Sequence, residues 1–175
     1  LIIANGLFSM TELAIVTAKK RKLEELAEAG NERAKKAFEL AENPNDMFST
    51  IQIGITLVGI LTGLYSGATF SGPLEEILTA NFPSIEPYAA SVSSFLIVAI
   101  ITYLSLVIGE LVPKRLALNS PEGIAVVVAK PIYWLSVALK PIVSFLGIST
   151  EFLLKILGVT VKEEAPVTES EINKM

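Results

Sequence analysis

Two long runs of the chain contain no charged residue. The first covers residues 47–74 and the second covers residues 87–109. Each run is longer than the about 20 apolar residues that a helix needs to cross a bilayer. This pattern predicts two transmembrane helices, over about 48–70 and about 88–112. We therefore expect an all-α integral membrane protein.

The chain begins inside a third apolar stretch, residues 1–18, whose only charged residue is Glu12. We interpret this stretch as a further span, which makes three in all. Because the chain opens with Leu1 inside an apolar run, we expect it to be part of a longer protein. Residues 1–160 then form one transmembrane domain, and the polar residues 161–175 are a linker to a further part.

Basic residues are unevenly distributed around the three predicted spans. The run Lys19–Lys22 follows the first span, and Lys114 and Arg115 follow the third, whereas residues 71–90 contain neither lysine nor arginine. Cytoplasmic flanks of spans are enriched in lysine and arginine. The asymmetry predicts that the amino end lies outside, the carboxyl end lies in the cytoplasm, and the protein is a multi-pass protein of the inner (plasma) membrane.

Residues 20–45 have apolar positions at spacings of three and four, which predict a cytoplasmic pair of short helices. The letters AGN near residue 30 predict the break between them, and NPND ends the second helix before the next span. A solvated, charged linker is the alternative, and the periodicity argues against it.

Residues 121–158 are apolar but interrupted by charges, and they contain Lys-Pro twice, at Pro131 and Pro141. Proline removes a helical hydrogen bond and kinks the helix. We predict a kinked juxtamembrane helix along the cytoplasmic surface, with Tyr133 and Trp134 at the interface. The alternative is a fourth full span, which would bury Lys140 and place the acidic tail outside.

Composition restricts the chemistry that the chain can perform. The 175 residues include neither cysteine nor histidine. This excludes disulfides, thiolate or imidazole metal ligands, and histidine-based catalytic triads. We therefore expect no enzymatic activity, and no nucleic-acid partner.

Each predicted span carries one face of polar and small side chains. In the first span these are Asn5, Ser9 and Glu12. In the second they are Ser49, Gln52, Thr56, Gly59 and Gly63, and in the third they are Thr102, Ser105, Gly109 and Pro113, with Glu110 beside them. Small and hydroxyl residues also serve close helix packing, which is the simpler role for Gly59 and Gly63. Carboxylates inside spans are costly and indicate function.

The letters GELVP at the end of the third span place a proline four residues after Gly109. Pro113 has no N–H for the Gly109 carbonyl, so a π-turn or a break is expected beside Glu110. Carboxylate, carbonyl, hydroxyl and amide oxygens suit a hard cation such as Mg²⁺, Na⁺ or Ca²⁺. The alternative is that Glu110 pairs with Lys114, four residues further along the helix.

Three segments of the chain together resemble a known family. They are NGLFSMTELAIVTAKKRKLEELAEAGNERAKKAFEL, STIQIGITLVGILTG and YLSLVIGELVPKRLALNSPEGIA. In this order they resemble the transmembrane domain of the CNNM/CorC magnesium transporters, whose bacterial members have also been labelled hemolysin-like. The tail APVTESEINKM resembles the lead-in to that family's paired CBS domains, which bind a nucleotide such as ATP in some members.

The resemblance implies a homodimer and a Mg²⁺ site between the three spans, with Ser9 and Glu110 at the positions of the family's motif residues. It also implies Mg²⁺ export coupled to Na⁺ entry. Many relatives have a GNNLVN-like second span, where this chain has GITLVG. Thr56, together with Gln52, would then take the place of the asparagine ligands. The expected Mg²⁺ ligands are therefore Ser9, Glu12, Gln52, Thr56, Gly109 and Glu110. A membrane anchor or Mg²⁺ sensor that regulates cytoplasmic domains without transport is the competing function.

Overall fold

The computed structural model describes residues 1–158, which are α-helical and contain no strand. The helices in chain order are α1 (Ile2–Thr17), α2 (Lys20–Glu28), α3 (Glu32–Glu42), α4 (Asn45–Asn81), a 3₁₀ helix (Pro83–Tyr88), α5 (Ala89–Leu106), a π-turn (Val107–Leu111), α6 (Val112–Asn119) and α7 (Pro121–Ile156). The predicted linker, residues 161–175, lies outside the described residues. The described residues divide into two units, Leu1–Leu139 and a second that begins at Lys140. The described part of the second unit is the second half of α7.

Three helical segments within residues 1–158 are long and apolar enough to cross a membrane. They are Asn45–Asn81, Pro83–Asn119 and Pro121–Ile156. Helices α1 and α2 meet the same criterion only as a pair, and the pair is bent by 89°. The prediction of an all-α membrane protein is confirmed. Length and composition do not separate a span from a surface helix, so the prediction that α1 crosses the membrane and α7 lies along its surface stays a prediction.

The helical pair predicted after the first span is present as α2 and α3. Gly30 adopts φ 89°, a left-handed conformation that glycine tolerates without strain. Asn31 follows as the N-cap of α3, and its side-chain oxygen accepts hydrogen bonds from the backbone N–H groups of Arg33 and Ala34 at 3.0 and 3.2 Å. The AGN break therefore works as a helix stop followed by a helix start.

The buried core of the first unit lies where the end of α1, the α2–α3 pair, the start of α4 and the first half of α7 meet. Its members are Ile15, Ala18, Leu23, Ala37, Leu40, Ala41, Met47, Ile51, Ala125, Ala129 and Ile132. Alanine is frequent here, which lets helix backbones approach closely. Outside this core about half of the large apolar side chains of α4 and α5 are exposed, as expected of surfaces that face lipid.

Helix α4 is longer than the predicted span over about 48–70. It continues through Pro73 to Asn81, and the 3₁₀ helix follows after a single residue. The Ser93 hydroxyl of α5 donates a hydrogen bond to the Ser71 carbonyl of α4. This bond joins α4 to α5 close to Pro73, whose missing N–H leaves the carbonyl of Thr69, not that of Ser71, without its helical partner.

Candidate functional site

The helix that contains α5 and α6 is interrupted by the π-turn. The backbone N–H of Val112 donates to the carbonyl of Val107, five residues earlier, where an α-helix would join residues four apart. Pro113 follows and has no N–H to donate. The wide turn thus occurs where the spacing of Gly109 and Pro113 predicts it.

The carbonyl of Gly109 is satisfied by a side chain of α1. Asn5 Nδ2 donates to Gly109 O over 3.2 Å. Gly109 is buried, and a Cβ atom at this position would lie 3.1 Å from Asn5 Nδ2. The other polar atom of the Asn5 side chain, Oδ1, is buried and has no hydrogen-bond partner. The contact between α1 and the π-turn therefore contains one acceptor that lacks a donor.

The next residue of α1 makes the closest backbone approach at this site. A Cβ atom at Gly6 would lie 2.9 Å from both the Ile108 carbonyl oxygen and Pro113 Cγ. Only glycine allows α1 to lie this close to the π-turn. Gly6 and Pro113 are both buried, so the two elements pack directly against each other.

One turn further along α1 lie two buried hydroxyl side chains. Ser9 is 3% exposed and Thr11 is 2% exposed. The Thr11 hydroxyl donates to the Leu7 carbonyl over 2.7 Å, so it is used within its own helix. Ser9 shares a helix face with Asn5, and α1 packs against both α4 and the π-turn.

Glu110 forms an ion pair with Lys114 in this structure. The distance from Lys114 Nζ to Glu110 Oε1 is 2.6 Å, and the two side chains are 36% and 41% exposed. The pair is therefore the one that the alternative interpretation of GELVPK predicts. An exposed pair of this kind contributes at most about 1 kcal/mol, so it can open when a stronger cation competes.

Glu12 is partly buried in α1, and within residues 1–158 it takes part in no salt bridge. In the same part of the chain there is no group of three or more acidic side chains that could together hold a metal ion. A cation site here would therefore have few carboxylates and many neutral oxygen ligands.

Within one chain, the structure does not pack Gln52 and Thr56 against α1. Both side chains are exposed, as is Gly59. The buried residues of α4, on the opposite face of the helix, are Met47, Thr50, Ile51, Gly54 and Thr62. The ring of Phe8 packs onto Gly54, where a Cβ atom would lie 2.6 Å from it. This large-to-small contact sets the rotation of α4 and turns the predicted polar face away from Ser9.

The structure thus brings part of the predicted site together. Asn5, Gly109 and Pro113 meet at the contact of α1 with the π-turn, Ser9 is buried in α1, and Glu110 follows Gly109 in the turn. Asn5 belongs to the predicted polar face of α1 but was not among the expected ligands. A freed carbonyl needs a donor, and that need could have singled out the one carboxamide of the first span.

The chain is similar to a family of known proteins over its whole length. The family described as the CNNM, or cyclin M, transmembrane N-terminal domain matches residues 1–175. The UPF0053 protein sll0260 of Synechocystis is 50% identical over 175 residues, which are 100% of this chain and 39% of that protein. The UPF0053 protein YugS of Bacillus subtilis is 32% identical, over 98% of this chain and 40% of the relative.

A third relative is described by an activity. The polyamine export protein of Escherichia coli strain K12 is 28% identical over 98% of this chain and 38% of its own length. The chain therefore spans about two fifths of the length of the relatives it matches. The match of the family over every residue, together with the helical membrane architecture, shows that the chain belongs to the CNNM family as its transmembrane N-terminal domain.

Proposed function

We propose that this domain is the membrane part of a cation exporter whose substrate is Mg²⁺. The family and the relatives described as export proteins support a role in membrane transport. The observation that carries the choice of a cation is the contact of α1 with the π-turn. There the adjacent residues Gly109 and Glu110 offer a carbonyl and a carboxylate. The side chain of Asn5 is hydrogen-bonded to Gly109, and its Oδ1 has no hydrogen-bond partner.

The ligand set fits a hard cation that binds reversibly. All of its donors are oxygens, which Mg²⁺ prefers. Glu110 would supply the charge, and Asn5, Ser9 and the Gly109 carbonyl would supply neutral oxygens. Because affinity rises with the number of charged ligands, a site with few carboxylates releases its ion readily, as a transporter requires. Glu12, Gln52 and Thr56 stay expected ligands. Gln52 and Thr56 are exposed in the single chain, so they would reach the ion only if the helices pack differently from the packing described here.

The test of the site is Glu110→Gln. It keeps the shape and one oxygen but removes the charge, so Mg²⁺ binding should weaken roughly ten- to hundredfold, the equivalent of about 1.5–3 kcal/mol. Ser9→Ala removes one neutral ligand and should weaken binding less. Isothermal titration of the folded variants measures both, and Glu76→Gln, at an exposed carboxylate of α4, is the matched control.

Lys114→Gln separates the two interpretations of Glu110. If Glu110 binds a cation, Lys114 competes for the same carboxylate, and the variant should bind Mg²⁺ more tightly than the parent protein. If Glu110 only pairs with Lys114, neither Glu110→Gln nor Lys114→Gln changes Mg²⁺ binding, and the proposed site is wrong.

A second candidate substrate is an organic polycation. Glu110 already holds an alkylammonium group, that of Lys114, at 2.6 Å. Two relatives described as polyamine export proteins, of Haemophilus influenzae and Escherichia coli, match 98% of this chain. Flux of Mg²⁺ and of a labelled polyamine from proteoliposomes of the full-length protein distinguishes the two. Export of the polyamine with no Mg²⁺ flux would replace Mg²⁺ as the substrate.

The same assay tests the remaining parts of the proposal. Na⁺ coupling requires that Mg²⁺ flux depend on an opposing Na⁺ gradient. Mg²⁺ binding without any flux would favour a sensor that regulates cytoplasmic CBS domains in the full-length protein.

We also propose a homodimer in the inner membrane with the amino end outside. A monomeric mass in mild detergent at all concentrations would contradict the dimer. No enzymatic step is part of this proposal.

A further inference from the structure

The bend between α1 and α2 creates a pocket with a basic lining. The two helices meet at 89°, and Ala18 and Lys19 form the extended link between them. The pocket has a volume of about 570 Å³ and is lined by Lys19, Lys20, Arg21, Lys22 and Glu25. Four cationic residues at consecutive positions therefore line one open surface pocket, and Glu25 is the only carboxylate of that lining.

Two of the four cations are already paired. Lys22 Nζ lies 3.3 Å from Glu122 Oε2, and Arg21 Nε lies 3.2 Å from Glu25 Oε1. Within residues 1–158, Lys19 and Lys20 take part in no salt bridge, and both residues are exposed. The pocket thus keeps an excess of positive charge that the described chain does not neutralise.

The pocket also lies at the boundary between apolar and charged surface. Val16, in the last turn of α1, is 55% exposed, and the basic run begins three residues later. On α7, Trp134 is exposed, while Ile132 is buried in the same core as Ala18 and Leu23. A change from apolar to basic surface is typical of the cytoplasmic end of a membrane span, and exposed tryptophan is typical of the membrane–water interface.

From these observations the geometry points to a binding site for the phosphate headgroup of an anionic phospholipid at the α1–α2 bend. Basic clusters directly beside a membrane span attract anionic lipids. The acyl chains would lie along the apolar surface of α1 near Val16, and the phosphate would face Lys19 and Lys20. A soluble phosphate would use the same cations but would gain nothing from the apolar surface.

The test uses the full-length protein in detergent, with lipid binding measured by native mass spectrometry. Phosphatidylglycerol should bind more tightly than phosphatidylcholine, and the difference should shrink as ionic strength rises. The double variant Lys19→Gln/Lys20→Gln should weaken phosphatidylglycerol binding roughly thirtyfold, which corresponds to about 1 kcal/mol for each cation removed, and should leave phosphatidylcholine binding unchanged.

Two further variants complete the design. Arg33→Gln/Lys35→Gln removes the same charge from exposed positions of α3 and should change phosphatidylglycerol binding by less than about twofold. Lys19→Arg/Lys20→Arg keeps the charge and should retain the lipid. Equal losses in the two glutamine variants, or no loss in either, would overturn the site. Displacement of the lipid by millimolar glycerol 3-phosphate would show a soluble-phosphate site and overturn the lipid assignment.

Discussion

Asn5 in the first helix donates a hydrogen bond to the carbonyl of Gly109, a residue 104 positions away in the π-turn. The bond joins the carboxamide of α1 to a carbonyl that Pro113 cannot serve in an α-helical arrangement. In a lipid environment an unsatisfied carbonyl is costly, so the contact between these two residues ties α1 to the interrupted helix at one defined point.

Replacing Asn5 with leucine should destabilise the protein. Leucine has a similar shape but no N–H, so the buried Gly109 carbonyl loses its partner at an expected cost of about 1–3 kcal/mol. Thermal unfolding in detergent measures the change. Asn81→Leu is the matched control, because Asn81 Nδ2 bonds only to the nearby Ile77 carbonyl and is exposed. Equal stability of the two variants would contradict a structural role for Asn5.

Gly6→Ala should separate α1 from the π-turn. The added methyl group would lie 2.9 Å from the Ile108 carbonyl oxygen and from the ring of Pro113, neither of which can move freely. We expect a loss of about 1–3 kcal/mol in the free energy of unfolding, together with weaker Mg²⁺ binding. Gly72→Ala meets no atom within 4 Å, so in the same unfolding assay it should be neutral or stabilising.

Glu122 connects the start of α7 to the α1–α2 bend. It is 9% exposed, and its carboxylate accepts hydrogen bonds from the backbone N–H of Lys19 and from Lys22 Nζ. Glu122→Ala leaves the Lys19 N–H without this acceptor and should cost about 1–3 kcal/mol. Glu122→Gln keeps an acceptor and should cost less, because Lys22 is largely solvated.

The control for Glu122 is Glu25→Ala, which removes an exposed pair with Arg21 and should change stability by at most about 1 kcal/mol. If Glu122→Ala is as stable as Glu25→Ala, Glu122 does not fasten α7.

A second contact joins α3 to α7. Lys36 Nζ lies 4.2 Å from the centre of the Tyr133 ring, and its hydrogen bond to Glu39 raises the pKa of Lys36.

The orientation in the membrane is tested by cysteine labelling, which is simple because this chain has no native cysteine. Ser84→Cys, at an exposed position of the 3₁₀ helix, should react with an impermeant maleimide on intact cells. Lys35→Cys should react only after permeabilisation, because basic flanks face the cytoplasm. The reverse labelling pattern would invert the predicted topology.

The position of α7 requires a separate measurement, because its length and hydropathy suit either a span or a surface helix. We expect a surface helix, since its first half packs on the ends of α1 and α4 where the α2–α3 pair joins them. Spin labels read by depth-dependent quenching should place Leu139 near the interface. Leu139 at the bilayer centre, with Glu151 on the outer side, would establish a fourth span.

Local backbone chemistry explains which features the sequence could predict. The π-turn follows from a glycine and a proline four residues apart, and the break between α2 and α3 follows from Gly30 and the capping Asn31. These features depend on neighbours in the chain, so pattern and spacing are sufficient to locate them. The apolar runs likewise predict the membrane helices without knowledge of their packing.

Contacts between distant residues explain what the sequence could not predict. The polar pattern of α4 predicted a face directed toward α1, but the fit of Phe8 onto Gly54 decides the rotation of the helix. Likewise, Asn5 was visible as a polar residue in an apolar stretch, while its partner Gly109 depends on how α1 packs. Each pairing joins residues that are far apart in the chain, so the sequence offers candidate partners but does not determine which of them meet.

The π-turn also has a consequence for motion. Such a turn holds one residue more than an α-helical turn, so it is a register fault, and a register fault can travel along a helix as successive N–H groups exchange carbonyl partners. Pro113 has no N–H to exchange, and Gly6 lies against its ring. The fault therefore cannot pass Pro113 toward α6, and the wide turn stays on the side of the proline where Glu110 lies.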